Sequence, residues 1–357
     1  MTRVLHVVEC YDAGVGRAVN RWIALAPRHE HHLLWEGLQS PAEVTGIASH
    51  RRMPAGLSGR TRSVGERVDA IAPDVIVAHS SWAGVYARVT RTNAPVIYVP
   101  HAYKFEDPAQ PAILRAAYRW AEGILARRTS VTVALTPREE WLAHSLHRDA
   151  QTRRVPNAST LRPTSEHPAT GFDADDTVAM IGRISAQKSP RYFLEVAGRV
   201  RAQRPRTRFV WAGDGDQALR RELEDAGIEV TGWLDGDALR SFLSRPFVYF
   251  HSAAYEGFPL SVLDAAAFEH PVVVRDIPPF EDLDIWQCSS PADAAAAILS
   301  VLDRTPGHTR ARSGAQWLTA EMNEQIQAEA VDALLAGFDR TDRGEVPLSR
   351  QGERDAH

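Results

Sequence analysis

The densest chemistry in the sequence lies in Glu256-Gly257-Phe258-Pro259-Leu260-Ser261-Val262-Leu263-Asp264, which sets two carboxylates eight residues apart around a glycine and a proline. Proline is tolerated in a first helical turn, where its missing N–H is no loss. The spacing therefore places Glu256 on a loop, Pro259 in the first turn of a helix and Asp264 inside it. The unpaired N–H groups between Phe258 and Ser261 would point at any bound phosphate. A second cluster, Gly182-Arg183-Ile184-Ser185-Ala186-Gln187-Lys188, puts an arginine and a lysine five residues apart on one short loop. Two fixed cations stabilise the charge that builds on a departing diphosphate, without a metal. A third, Pro100-His101-Ala102-Tyr103-Lys104-Phe105-Glu106, follows the apolar run Val96 to Val99 and offers an imidazole at a strand end.

Weaker signals lie elsewhere. Phe209-Val210-Trp211-Ala212-Gly213-Asp214-Gly215-Asp216 runs from a strand into a glycine turn, where small residues permit close backbone approach by a ligand. Thr231-Gly232-Trp233-Leu234-Asp235 follows a short β-branched run, and Trp233 there is either part of a ligand-facing loop or an ordinary core or surface aromatic. Gly14 and Gly16 follow the first strand and open a helix. A dinucleotide fingerprint would want a third glycine where Val19 stands, so the pair is either a tight turn or a loop abutting a ligand. The pairs Asp173 and Asp175, Asp214 and Asp216, and Asp235 and Asp237 imitate a D-x-D metal motif. Each falls where a turn is expected, so no catalytic metal is expected.

The elements that must position these groups alternate. Short β-branched runs are separated by longer helical stretches, the pattern of βαβ units and parallel sheets. In the first half the strands read as Val4 to Val8, His32 to Trp35, Val75 to Ala78, Val96 to Val99 and Val131 to Leu135, with helices near Gly16 to Ala26, Ser63 to Ile71, Gly84 to Arg91, Ala109 to Arg127 and Pro137 to Leu146. In the second half the strands read as Thr177 to Ile181, Arg208 to Ala212, Glu229 to Thr231, Phe247 to Phe250 and Val272 to Val274. The economical architecture is α/β: two facing, Rossmann-like, doubly wound parallel sheets with the cleft between them. Pro163, Thr164, Ser165, Pro168 and Gly171 interrupt any helical period and mark the linker. The domains are expected at 1–160 and 165–318, with a C-terminal helix at about 322–340 returning to the first and a polar, disordered tail at 341–357.

At 357 residues and 44% hydrophobic content the chain supports two domains with real cores. A net charge of −4 gives no reason to expect nucleic acid as a partner. Arginine is abundant and lysine almost absent. Two cysteines, Cys10 and Cys288, are too few for a disulfide framework and fit a cytoplasmic location. The N-terminal apolar run is of strand length, short of a signal peptide, and no segment reaches the roughly 18 apolar residues of a membrane helix. The basic, aromatic stretch Ile113 to Arg128 is the candidate surface for peripheral contact with the inner face of a membrane.

The run from Glu256 to Asp264 resembles the E-x7-E signature of retaining GT-B glycosyltransferases, in particular glycosyltransferase family 4, with Asp264 in place of the second Glu. Gly182 to Lys188 resembles that family's G-R-L-x-x-x-K-G element, with Ser189 in place of the last Gly. Arg153-Arg154-Val155-Pro156-Asn157 is similar to its interdomain hinge, and Leu135-Thr136-Pro137 to a strand-to-helix step beside the acceptor. The resemblance implies a retaining transferase that takes a sugar from a nucleoside-diphosphate-sugar, used as a co-substrate with no other cofactor, to an acceptor hydroxyl on a glycan, a lipid-linked carrier or a small molecule. It implies that Glu256 meets the donor sugar, and that Arg183 and Lys188 hold the diphosphate together with Gly182, Gly213, Gly257, Phe258, Pro259, Leu260 and Ser261. Asp264 would hold the ribose, the backbone of Trp233 and Leu234 the base, and the Gly14–Gly16 loop would abut the pyrophosphate. His101 would be the catalytic histidine, facing the donor sugar. A nucleotide-sugar epimerase or hydrolase of the same fold, or a degenerate binding subunit, remains open.

Overall fold

The computed structural model of the protein describes residues 1–37, 41, 44–167, 176–304 and 306–339. The strands are β1 Arg3–Val8, β2 Glu30–Trp35, β3 Ile47–Arg52, β4 Val75–His79, β5 Val96–Val99, β6 Val131–Ala134, β7 Thr152–Arg154, β8 Thr177–Ile181, β9 Arg208–Ala212, β10 Glu229–Val230, β11 Val248–His251, β12 Val272–Arg275 and β13 Trp286–Cys288. They form a seven-stranded sheet, β3-β2-β1-β4-β5-β6-β7, and a six-stranded one, β10-β9-β8-β11-β12-β13. Every paired strand runs parallel to its neighbour. Helices join most consecutive strands within each sheet, as parallel pairing favours; among the described residues none lies between β2 and β3, and β12 passes to β13 through a single 3-10 turn at Pro278–Phe280.

The central strands are the ones the apolar runs specify. Val75 to His79 and Thr177 to Ile181 are buried along their whole length, as expected of strands covered on both faces. Three strands escape that signal. β3 is Ile47-Ala48-Ser49-His50-Arg51-Arg52 at a sheet edge, mostly exposed; β7 is Thr152-Arg153-Arg154 at the other edge; β13 has only three residues. Edge strands tolerate such polar sequences because one side faces solvent.

In each sheet the winding reverses beside the first strand, between β1 and β4 and between β8 and β11. Open α/β sheets bind ligands at the carboxyl ends flanking such a reversal. The chain leaves β8 into Gly182–Lys188 and β11 into Ser252–Pro259, so the two most chemical segments emerge side by side.

Three helices follow Pro291, at Pro291–Leu302, Pro306–Glu321 and Glu324–Ala336. The last is capped by Asn323, whose side chain accepts from the Ile326 N–H at 3.0 Å. It returns to the first sheet, where Val331, Leu334 and Leu335 pack with Val4, Trp22, Ala26 and Val99. Pro168, Gly171, Asp173, Asp175 and the tail at 341–357 lie outside the described residues.

The helix Ala112–Ala126 departs from the usual half-buried stripe, since Glu122 is its buried residue while Ile113 is 83% and Trp120 72% exposed. Trp141, on the neighbouring helix Pro137–Leu146, is also exposed. No helix among the described residues is long and apolar enough to cross a membrane.

Candidate active site

Glu256 is the centre of the second sheet's binding edge. Its carboxylate pairs with Lys188 Nζ, and His251 Nε2 stands 3.4 Å from the same oxygen. Gln187 Nε2 reaches the other oxygen at 3.4 Å and the Tyr255 carbonyl at 3.1 Å. Two more bonds fasten the loops together: Ser252 Oγ donates to the Lys188 carbonyl and the Ala254 N–H to the Gln187 carbonyl, both at 2.8 Å. Burial alone would raise the Glu256 carboxyl, but Lys188 and His251 outweigh it and hold the group at about 2. Glu256 is therefore an ionised acceptor in a largely dry site. Lys188 has three N–H donors, and pairing with Glu256 leaves capacity for a second anion.

The helix after Glu256 spans Leu260–Ala267, so Pro259 is its N-cap and not part of the first turn. The sequence expectation shifts by one position, because Pro259 adopts extended backbone and helical geometry begins after it. Gly257, Phe258, Pro259 and Leu260 are buried at this entry and Ser261 is partly exposed. Tyr249 OH donates to Ser261 Oγ at 2.8 Å. Ser189, where the family signature has Gly, takes a left-handed conformation with φ 53°, and its Oγ accepts from Arg275 at 3.3 Å. The serine thus occupies the backbone shape for which glycine is the default residue.

Asp264 is only 1% exposed and already partnered. Arg17 Nη2 and Ser159 Oγ donate to its two oxygens, each at 2.7 Å. Asn157 Nδ2 donates to the Phe258 carbonyl at 2.9 Å. The second acid of the motif therefore fastens the second sheet to the first helix and to the hinge.

The remaining sequence candidates fall at neighbouring strand ends with different surroundings. Arg183 is exposed and its Nη2 lies 4.0 Å from Cys10 Sγ. At Gly213, a Cβ would stand 2.0 Å from the Gly182 carbonyl oxygen. The close approach there is between two protein segments, and it fixes the Gly182 loop. Trp233 is 54% exposed, the surface alternative, while Leu234 packs on the core. Gly14 is exposed with open space around its Cβ position, whereas Gly16 is buried and a Cβ there would meet the Tyr11 carbonyl oxygen at 2.7 Å. Asp216 caps the helix Gln217–Asp225, Asp214 pairs with Arg220, and Asp237 pairs with Arg240. Among the described residues no group of three or more His, Cys, Asp or Glu side chains is placed to hold a metal ion.

The facing wall comes from the first sheet. His101, two residues past β5, has φ 51°, and Ala102 has φ 90°. Such backbone persists where neighbours over-determine it. Glu139 does so, accepting from the Ala102 N–H at 3.0 Å and from the Leu135 N–H at 2.8 Å. Burial raises the Glu139 carboxyl to about 7, the two backbone donors notwithstanding. Burial likewise lowers His101 to about 4. The walls touch at Gly257, where a Cβ would lie 2.8 Å from Ala102 N and 3.1 Å from Glu139 Oε1. Beside it, Lys104 Nζ reaches Asp107 at 3.0 Å and Tyr255 OH at 3.3 Å, and Tyr255 OH donates to Asp107 at 3.1 Å.

The structure thus brings Glu256, Lys188 and Gly257 against the His101–Ala102 turn, and Asp264 against Arg17. Sequence reasoning missed Glu139, His251, Tyr255 and the Arg17 contact. The signal for Glu139 is Thr136-Pro137-Arg138-Glu139, a capping-box spacing. Thr136 does cap the helix through the Glu139 N–H at 3.2 Å, but the glutamate side chain turns to Leu135 and Ala102.

Residues 2–158 match the family model for a Glycosyl transferase 4-like domain, and residues 175–304 that for Glycosyl transferases group 1. The chain is 25% identical over 229 residues to the UDP-Gal:alpha-D-GlcNAc-diphosphoundecaprenol alpha-1,3-galactosyltransferase of Escherichia coli, an alignment covering 57% of this chain and 58% of that relative's length. Among solved structures it is similar to Anabaena HepE in complex with UDP-glucose, with TM-score 0.77, 16% identity, and coverage of 94% of this chain and 100% of that one. It is also similar to sucrose-phosphate synthase from Thermosynechococcus elongatus, with TM-score 0.76, 16% identity, and coverage of 94% and 98%. The matched segments span both sheets and every strand end described above, and the chain belongs to the glycosyl transferases group 1 family of GT-B glycosyltransferases.

Proposed function

We propose that the protein transfers a sugar from a nucleoside-diphosphate-sugar to an acceptor hydroxyl, with retention of anomeric configuration and without a metal ion. The observation that carries this reading is the largely covered Lys188–Glu256 pair at the strand reversal of the second sheet, set against the His101–Ala102 turn of the first. Glu256, ionised throughout the working pH range, accepts hydrogen bonds from the donor sugar. Lys188 and Arg183 receive the charge that develops on the diphosphate, assisted by the free N–H groups of Leu260 and Ser261 at the helix start. His101 meets the sugar from the opposite side. The acceptor hydroxyl attacks from the face the diphosphate leaves, so its proton passes to a departing phosphate oxygen.

The relative whose name specifies UDP-Gal and the neighbours solved with UDP and UDP-glucose support a uridine donor. That relative's acceptor is a sugar on diphosphoundecaprenol. The exposed Ile113, Trp120 and Trp141, with Arg115 and Arg119 on the same helix as the first two, support an acceptor presented at a membrane surface. We place the protein in the cytoplasm, peripheral on the inner membrane face.

The test is incubation of the purified protein with UDP-sugars and polyprenyl-diphosphate-linked acceptors, with product configuration read by NMR. Retention, unchanged rates in excess EDTA and a loss on the order of a hundredfold in Glu256→Gln are expected. An inverted product would overturn the retaining assignment, and rapid donor consumption without acceptor would favour an epimerase or hydrolase.

A further inference from the structure

Four histidines form a continuous chain through the first sheet and end at His101. His31 Nε2 lies 2.9 Å from the Ala26 carbonyl oxygen. His31 Nδ1 is 3.0 Å from His6 Nε2, His6 Nδ1 is 3.2 Å from His79 Nε2, and His79 Nδ1 is 3.2 Å from His101 Nε2. Consecutive rings are 5.2, 5.4 and 5.5 Å apart and inclined by 30° or less. His6, His31 and His79 are at most 1% exposed, and the edge of Trp22 packs on His79.

Strand register builds this line. Val4 is opposite His31, and His6 is two residues further on the same face. His79 is opposite Val8, again two residues beyond His6. Val99 is opposite His79, and His101 is two residues beyond that. The chain therefore climbs diagonally from β2 across β1 and β4 to the carboxyl edge after β5, advancing one side-chain period per strand.

The far end gives the chain a direction. A carbonyl oxygen only accepts, so His31 must carry its proton on Nε2 and offer Nδ1 as an acceptor. His6 then donates from Nε2 and accepts at Nδ1, His79 does the same, and His101 must donate from Nε2. Burial lowers His6 and His79 well below the ordinary imidazole range and lowers His31 and His101 as well, so all four rings are neutral near pH 7. A proton added to His31, His6 or His79 would set N–H against N–H, because the Nδ1 of each already accepts from the next ring. Since the chain ends on a carbonyl it cannot pass protons outward, and its effect is orientation.

We infer that His31, His6 and His79 are positioning residues that lock His101 in the Nε2–H tautomer, so that its Nδ1 meets the donor as a hydrogen-bond acceptor for a sugar hydroxyl. This rests on the reading that His101 faces the sugar. The three partners are spaced through the first half of the chain and share only the register that aligns them.

The experiment is long-range 1H–15N correlation NMR on histidine-labelled full-length protein at pH 7, which distinguishes Nε2–H, Nδ1–H and imidazolium rings and needs no substrate. All four rings are expected as neutral Nε2–H. His79→Phe should release His101 into a mixture containing the Nδ1–H form and lower the transfer rate by about tenfold. His79→Gln, whose oxygen accepts from His101 and whose amide donates to His6, should keep the tautomer and stay within about twofold of the wild-type rate. A wild-type spectrum with any of the four rings protonated on Nδ1, or His79→Phe leaving the His101 tautomer unchanged, would overturn the inference. An intact chain in a protein that transfers no sugar would instead sink the functional reading and leave the tautomer assignment standing.

Discussion

Two buried carboxylates lie either side of Gly257, one from each wall of the cleft, and they are held in opposite protonation ranges. Burial opposes ionisation of both. Glu256 has Lys188 on one oxygen and His251 near it, and sits at about 2. Glu139 has two backbone N–H donors and no cation, and sits at about 7. A full neighbouring charge outweighs the desolvation of Glu256, while peptide dipoles do not outweigh that of Glu139. The consequence is a division of work. The second sheet supplies a permanent anion, the group we propose for the substrate hydroxyls, and the first supplies a carboxyl that braces the His101–Ala102 turn.

That contrast is open to direct attack. The largest effect is expected from Lys188→Ala, which leaves Glu256 buried without its cation. Stability measured by urea unfolding should fall by about 3 kcal/mol, and the transfer rate on the order of a hundredfold. Wild-type stability in this variant would show that something other than Lys188 holds Glu256 ionised.

Next comes the pH dependence of Glu139. Its folded-state value lies above the 4.5 of a free carboxyl, so the native state holds the proton more tightly than the unfolded chain. Stability from this group is fully present below about pH 4.5, declines as pH rises and is lower by about 3 kcal/mol above pH 7. Glu256 has the opposite sign: its contribution is present above about 4.5 and is lost as pH falls toward 2. The difference in unfolding midpoint between wild type and Glu139→Gln isolates Glu139: the wild type's advantage should shrink as pH rises from 5 to 8, while the buried histidines add the same opposite slope to both proteins.

Gly257→Ala tests whether the two walls communicate. The added methyl meets Ala102 N and Glu139 Oε1, so about 2 kcal/mol of stability should be lost through overpacking. A neutral outcome would mean that the walls part without cost. The smallest effect belongs to Arg17→Ala, which removes one partner of Asp264 and keeps Ser159. Arg17 is 28% exposed, and a loss of about 1 kcal/mol is expected from chemical denaturation.

What was legible in the sequence followed from whether a signal was local. Strands buried on both faces, such as Val75 to Ala78 and Thr177 to Ile181, show as unbroken apolar runs. The edge strand Ile47–Arg52 ends His-Arg-Arg and reads as loop because nothing covers it. Helix starts came out unevenly: Pro137 coincides with the observed start and Ala109 falls ahead of the observed Ala112, but Ser63 is late against an observed Leu57, since the first turn of that helix is largely exposed and carries no apolar period. In the site, Lys188 and Glu256 could be named because each sits in a recognisable loop. The partners of Asp264 could not, because Arg17 is 247 residues away and only the fold brings the two together. The histidine chain hides for the same reason: His6, His31, His79 and His101 are unremarkable singly, and the two-residue offset that joins them is a property of strand register.

Of the 41 lysine and arginine residues, only Lys104 and Lys188 are lysines, and both stand in the cleft. Arginine carries every other basic position, in surface pairs such as Arg191 with Glu222. Side-chain primary amines are therefore confined to the cleft. At the side chains, amine chemistry would label this protein only at the cleft, first at the more exposed Lys104. Occupancy of the cleft could then be followed by how well a filling ligand shields those two nitrogens from acylation.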